Sequence, residues 1–145
     1  MQVRHILREK GRDIVAIGGD ALLSEASRLL AARRIGALLV RGARGELLGI
    51  LSERDVVRAV AQESAGALAR PVRAYMTREV ATCGEDDTVD DLMEMMTRGR
   101  FRHVPVIDER EQLVGLVSIG DVVKSRIEET LREAAALREY ISAAG

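Results

Sequence analysis

One stretch of this chain occurs twice, at a fixed interval. Gly49-Ile50-Leu51-Ser52-Glu53-Arg54-Asp55-Val56-Val57 returns sixty-six positions later as Gly115-Leu116-Val117-Ser118-Ile119-Gly120-Asp121-Val122-Val123. The interval holds without a gap well beyond these copies. Ile14 falls on Val80, Asp20 on Asp86, Leu29 on Met95, Arg34 on Arg100, Val40 on Val106 and Leu47 on Leu113. Between Val40–Val57 and Val106–Val123, eight of eighteen positions are identical. Repeats of this kind mark units that bury their apolar faces against each other. A unit of about sixty residues is marginal alone. Two packed face to face would bury their strands and bring the equivalent corners close to a pseudo-twofold axis.

Each unit reads as β-α-β-β-α. In the first, Asp13–Ile17 is strand-like and Gly18-Gly19-Asp20 is a turn. Leu22, Ala26, Leu29 and Leu30 then recur at helical spacing, with Gly36 as the expected helix stop. Ala37-Leu38-Leu39-Val40 is a short apolar run suited to burial on both faces. Leu47–Leu51 is the returning strand, and Ser52 opens a helix to about Ala61. The second unit repeats this order with strand Val80–Cys83, a helix from about Val89 to Arg98, strands His103–Ile107 and Leu113–Val117, and a helix from Ser118. That last helix continues through Ile141 without Gly or Pro. Val123, Ile127, Leu131, Ala134, Leu137 and Ile141 mark one face, so it is long and amphipathic and needs a partner for that face. The expected fold is α/β (α+β): two pseudo-symmetric repeats packed through their sheets, plus a long C-terminal helix. The expected divisions are 1–70 with an N-terminal entry segment (Val3, Ile6 and Leu7), 71–127, and the extension 128–145.

Composition enters mainly by exclusion. The 22 basic and 23 acidic residues leave a net charge of −1, so nothing draws the whole chain to nucleic acid or an anionic membrane. One cysteine, Cys83, rules out an intrachain disulfide, and two histidines make a structural zinc site improbable. No run approaches the ~20 apolar residues of a membrane span, and the N-terminus has no signal-peptide core. A cytoplasmic protein with no required cofactor is the expectation.

The repeated corner carries the chemistry. Ser-x-x-Asp at a helix start is first of all a cap, worth ~1 kcal/mol or less. Two further facts point to a ligand. The corner occurs at equivalent places in a pseudo-symmetric pair, and Gly120 stands in the second copy where it costs ~1 kcal/mol relative to Ala. A helix N-terminus with a Ser hydroxyl suits phosphate, and a carboxylate one turn in suits the paired hydroxyls of a ribose. Ile35, Val40, Val104 and Val106 are the expected walls for a flat base.

These corners, with Val104-Pro105-Val106 and Asp108, the lead-in Tyr75-Met76-Thr77, and Thr88-Val89, resemble a tandem pair of cystathionine-β-synthase (CBS) domains, a Bateman module. The resemblance covers about residues 10–127. With Gly99-Arg100-Phe101-Arg102-His103 and the long final helix, it is strongest to small stand-alone bacterial pairs. The first repeat departs from the pattern with Leu39 in place of Pro105 and Gly36-Ala37 in place of Arg102-His103. The resemblance implies binding of AMP, ATP, NAD(H) or S-adenosylmethionine between the repeats, and pairing into a homodimer. By motif position, Ser118 and Asp121 would hold phosphate and ribose, with Thr77, Val80 and Ala81 along the base and Phe101, Arg102 and His103 on the facing edge. Ser52, Asp55 and Arg54 would serve the other pocket. The Ser118–Asp121 pocket is the one expected to fill first.

Other motifs weigh less. The cluster Arg98–His103 is too short and the chain too neutral for a nucleic-acid interface. Cys83 reads as an inert buried thiol, and Met93, Met95 and Met96 as core filler. Asp86, Asp87, Asp90 and Asp91 bracket a helix start, where negative charge is favourable. No nucleophile–base pair, metal triad or Walker loop suggests an enzyme. Two readings remain: a nucleotide-sensing regulatory module acting on a separate effector protein, with the terminal helix as its output, or a ligand-free dimerisation module that binds a partner protein.

Overall fold

The structure is a computed structural model that describes residues 1–144. Its order is α1 (Val3–Lys10), β1 (Ala16–Gly18), α2 (Leu23–Arg33), β2 (Ala37–Arg41), β3 (Leu47–Ser52), α3 (Glu53–Glu63), two 3-10 turns at Ser64–Ala69 and Val72–Ala74, α4 (Val89–Gly99), β4 (His103–Ile107), β5 (Leu113–Ser118) and α5 (Ile119–Ala144). In the first repeat β1 runs parallel to β2, which pairs antiparallel with β3. In the second, β4 pairs antiparallel with β5. Each hairpin is irregular at the same place, Val40/Arg41 and Val106/Ile107.

The strand expected at Val80–Cys83 shrinks to a bridge between Cys83 and Val106, the counterpart of the Ile17–Val40 pair. Its cause is local. In the first repeat Leu39 N–H donates to the Val15 carbonyl at 3.3 Å. The equivalent donor in the second repeat is Pro105, which has no N–H. The ladder cannot extend there, and the Ala81 carbonyl is left without that bond. β1 is likewise shorter than expected and begins at Ala16. A second difference concerns Gly36, expected to stop α2. The helix ends instead at Arg33, with Arg34 left-handed at φ 54°, and α4 ends the same way at Arg100, φ 56°.

Two cores form, one per repeat, and each is completed by the segment preceding the other repeat. Leu23, Leu30, Leu38, Val40 and Leu51 cluster with Val72 and Met76 from the connector. Val89, Leu92, Val104, Val106 and Val117 cluster with Val3, Ile6 and Leu7 of α1. The entry segment, grouped with residues 1–70 in the sequence reading, thus packs in the second core. Matching backbone bonds hold both crossings. Leu23 N–H donates to Arg70 and Val72 N–H to Ala21, at 2.9 and 2.8 Å. Val89 N–H donates to Met1 and Val3 N–H to Asp87, also at 2.9 and 2.8 Å. Small units gain by this exchange, because each borrows apolar surface that it lacks.

α5 leaves the body after its first turns. Val122 and Ser125 are buried, while Val123, Ile127, Leu131, Leu137, Tyr140 and Ile141 are exposed. Val57 and Val60 of α3 are exposed as well. Among the described residues no helix is long and apolar enough to cross a membrane.

Candidate functional site

Both Ser-x-x-Asp corners fold as reciprocal caps, despite the shorter acid. Ser52 N–H and hydroxyl donate to Asp55 Oδ2 at 2.9 and 3.1 Å, and Asp55 N–H returns to Ser52 Oγ at 3.3 Å. Ser118 and Asp121 repeat these bonds at 2.9, 3.0 and 3.3 Å. Asp reaches because the strand delivers Ser in extended geometry directly onto the first helical turn. The helix starts are anchored alike: Glu53 N–H donates to the Gly36 carbonyl at 3.0 Å and Ile119 N–H to the Arg102 carbonyl at 2.8 Å. The capping function is therefore real at both corners. What separates them lies above the cap.

At the first corner a cavity of about 280 Å³ opens. Ser52, Glu53, Arg54 and Asp55 form one side. Thr77, Glu79, Val80 and Ala81 of the lead-in form a second, and Arg100, Phe101, Arg102 and His103 a third. Gly36, Ala37 and Ile50 complete the lining. The sequence-derived set is thus brought together, but in a different grouping. Thr77, Val80, Ala81, Phe101, Arg102 and His103 join Ser52, Arg54 and Asp55, and Ser118 and Asp121 stand at the other corner. The expected pairing of these walls with Asp121 is corrected. Neighbouring strands of a pseudo-symmetric pair cross at the axis, so the second lead-in runs beside the first hairpin. The bridge between Ile50 and Thr77 fixes this, with bonds of 3.0 and 2.8 Å. Val40, Val104 and Val106, expected as walls, are fully buried in the two cores, because alternation turns them toward the helices.

Charge in the cavity is mixed. Arg54, Arg100 and Arg102 line it together with Glu53, Asp55 and Glu79. Asp55 Oδ2 is engaged by Ser52, and its Oδ1 has the exposed Arg58 at 3.8 Å. His103 sits near the axis, against Gly36. A Cβ on Gly36 would lie 3.6 Å from the imidazole Cε1, an ordinary contact, so the ring itself does not require glycine there. Burial holds His103 below its ordinary pKa, and the positive Lys10 and Arg102 add to this, against Asp121 and Glu53. The ring is neutral at pH 7 and offers one donor and one acceptor.

At the second corner one carboxylate oxygen is shared with a cation. Lys10 Nζ lies 2.7 Å from Asp121 Oδ2 and 2.8 Å from the Leu116 carbonyl. Burial alone would push the Asp121 carboxyl up. Lys10 and the Ser118 donors outweigh it and hold the group below the usual carboxylate range. Lys10 was not singled out by sequence reasoning, nor were Glu53, Glu79 and Arg100. Arg100 lay within a noted cluster. Lys10 carried no motif at all.

The remaining candidates resolve structurally. Burial, with Asp87 nearby, pushes the Cys83 thiol up to about 12, so it is inert as a nucleophile. Met96 is core and Met95 packs against it, whereas Met93 is exposed. Asp91 caps α4 through Thr88, and Asp86 pairs with Arg4. Among the described residues no His, Cys, Asp or Glu cluster could hold a metal.

The CBS domain model matches residues 3–62 and 72–128. The chain belongs to the CBS domain family. Its tandem pair is similar to a CBS-domain containing protein from Agrobacterium tumefaciens, 49% identical at a TM-score of 0.83 over 87% of this chain and 99% of that one. It is similar to the CBS domain pair of protein MJ0100, solved with methylthioadenosine and S-adenosylmethionine: 26% identity, TM-score 0.79, covering 89% and 98%. It is also similar to a CBS domain protein from Pyrobaculum aerophilum complexed with AMP: 28% identity, TM-score 0.74, covering 83% and 89%. Solved relatives matched nearly end to end are CBS pairs without a catalytic domain. Several curated relatives are longer, the chain spanning 68%, 61% and 22% of three of them.

Proposed function

We propose that this CBS pair is a sensor that binds an adenosyl ligand, of the AMP, ATP, NAD(H) or S-adenosylmethionine class, at the Ser52–Asp55 corner. One observation carries the reading. The Asp55 carboxylate, three guanidinium groups balanced by Glu53 and Glu79, and an apolar wall share one cavity of about 280 Å³. Asp55 would accept from the ribose hydroxyls, and Arg54, Arg100 and Arg102 would meet phosphate. Ile50, Val80, Ala81 and Phe101 would flank the base, and the Ala81 carbonyl, spared its ladder bond by Pro105, suits an exocyclic amine. The relatives solved with AMP and S-adenosylmethionine support this class.

Calorimetry with AMP, ATP, NAD, NADH and S-adenosylmethionine tests it. Asp55→Asn keeps an acceptor for the Ser52 N–H but puts an amide where ribose needs a carboxylate. It is expected to weaken binding by at least about tenfold, the equivalent of ~1.4 kcal/mol, with the fold intact. Absence of binding by every ligand at millimolar concentration would sink the reading.

The exposed apolar faces of α3 and α5 favour a second, compatible role in self-association. A homodimer would cover Val57, Val123 and Ile127 together, and a monomeric mass at micromolar concentration would refute it. Ligand would then act on an effector protein by changing the angle of the halves and so the position of α5. Such coupling needs a differential affinity for the two arrangements. Identical hydrogen exchange across Ile127–Ile141 with and without ligand would count against it.

A further inference from the structure

The two corners share a cap geometry to within 0.1 Å, so their difference must come from what lies over them. Over the first, the lead-in runs extended, and Thr77 N–H donates to the Ile50 carbonyl at 2.8 Å. Leu116 is the counterpart of Ile50 under the sixty-six-residue interval. Its carbonyl is met at the same 2.8 Å by Lys10 Nζ. A side-chain ammonium has replaced a backbone N–H.

The replacement follows from α1. Gly49 is covered by Met76, and its counterpart Gly115 by Leu7. Met76 and Leu7 are sixty-nine residues apart, three more than the repeat interval. α1 continues for eight residues where the connector makes a 3-10 turn of three, and it ends at Gly11 with φ 94°. The added turn carries Lys10 onto the corner. There its ammonium bonds to the same Asp121 oxygen that Ser118 already occupies with two donors. Asp121 Oδ2 thus accepts three donors where Asp55 Oδ2 accepts two, and a ribose would have to displace the ammonium to use that oxygen.

We infer that Lys10 is a built-in stand-in for ligand at the second corner, so that the chain binds one adenosyl ligand and holds a second site latent. This rests on the adenosyl reading above. The latent site has the Ser118–Asp121 cap but Gly120 in place of Arg54. A Cβ on Gly120 would meet nothing nearer than Ser118 Oγ at 3.6 Å, so space is available but a guanidinium is not. Once opened, it suits a nucleoside better than a polyphosphate.

Lys10→Met keeps the aliphatic stem and removes the charge; Lys10→Arg keeps a cation. Calorimetry with AMP and adenosine is expected to give one site per chain in the wild type and Lys10→Arg, and two in Lys10→Met. In Asp55→Asn/Lys10→Met the second site alone should survive. Two sites in the wild type, or one in Lys10→Met with the fold intact by circular dichroism, would overturn the inference. If neither ligand binds any variant, the adenosyl reading fails, and Lys10 is judged by proton NMR titration of His103. The groups acting on that ring are Lys10, Asp121, Arg102 and Glu53. Loss of the ammonium should raise its titration midpoint, and an unchanged midpoint would show that Lys10 does not hold the corner.

Discussion

Gly49 and Gly115 occupy the same buried place in the two hairpins, yet replacing each by Ala should have different consequences. A Cβ on Gly49 would lie 2.5 Å from the Thr77 carbonyl oxygen, 3.1 Å from Met76 Sδ and 3.3 Å from Met76 Cγ. Carbon and carbonyl oxygen rest at ~3.3–3.6 Å, so the lead-in must retreat by about 0.8 Å or more. That backbone holds both bonds to Ile50, each worth ~1 kcal/mol net. Overpacking of this kind costs about 1–3 kcal/mol. Ala in place of Gly returns roughly 0.5–1 kcal/mol of chain entropy. With one of the two Ile50 bonds lost as well, the net loss for Gly49→Ala is about 2 kcal/mol.

At Gly115 the same Cβ would meet Leu7 Cδ2 at 2.7 Å and Cδ1 at 3.0 Å. These are the tips of a side chain that can turn, and no backbone bond is at stake. The cost there nearly cancels the entropy gain, leaving Gly115→Ala within about 0.5 kcal/mol of the wild type. Urea unfolding separates the two. With a slope of ~1–3 kcal/mol per molar, Gly49→Ala should lower the midpoint by about 1 M, and Gly115→Ala should hardly move it. Gly49→Ala should also weaken ligand, because Ile50 and Thr77 border the cavity. Equal midpoints for the two variants, or a larger loss at Gly115, would refute the assignment of the Thr77 backbone as the rigid neighbour.

Arg34 ends α2 in the left-handed region at φ 54°, where a Cβ is penalised and Gly is not. Arg34→Gly should raise stability by up to about 1 kcal/mol, read as a higher urea midpoint; a lower one would mean that the Arg34 side chain contributes more than its backbone costs. His103, held by burial below its ordinary value of 6.5, gives a pH dependence of definite sign. As pH falls below 6.5 the unfolded chain takes up the proton first. Stability should therefore decline until the folded-state value is passed, then level off. His103→Gln should flatten that segment of the midpoint profile, and an unchanged profile between pH 7 and pH 5 would show that the decline has another source. Asp121, displaced downward, contributes the loss at lower pH instead, below the ordinary carboxylate value of 3.8.

Local signals carried most of the architecture. The interval of sixty-six predicts the hairpins, the helix starts at Ser52, Thr88 and Ser118, and their shared cap chemistry, because each depends on neighbours a few residues away. Pro105 was legible too, had its missing N–H been followed to Ala81. The pairing of corners with walls was not. It depends on which hairpin the Thr77 lead-in crosses, and apolar periodicity is the same for either choice. The exchange of α1 into the second core hid for a related reason. The interval there is sixty-nine, so alignment at sixty-six sets Lys10 against Met76 and conceals its place beside Asp121.

Two departures from symmetry then act in one direction. Pro105 stands in the second repeat, but by removing a donor it leaves the carbonyl of Ala81, a residue that lines the first corner's cavity, without its ladder bond. Lys10 stands in the first segment of the chain, but by adding a donor it satisfies Asp121 at the second corner. One change leaves an acceptor open beside the Ser52–Asp55 cavity, and the other adds a donor to the acceptor at the second corner. Neither needs any change to the caps themselves, which explains how two nearly identical corners come to differ in what they offer a ligand. It follows that restoring symmetry at Lys10 alone should not make the sites equal, since the second would still lack the guanidinium that Arg54 supplies to the first.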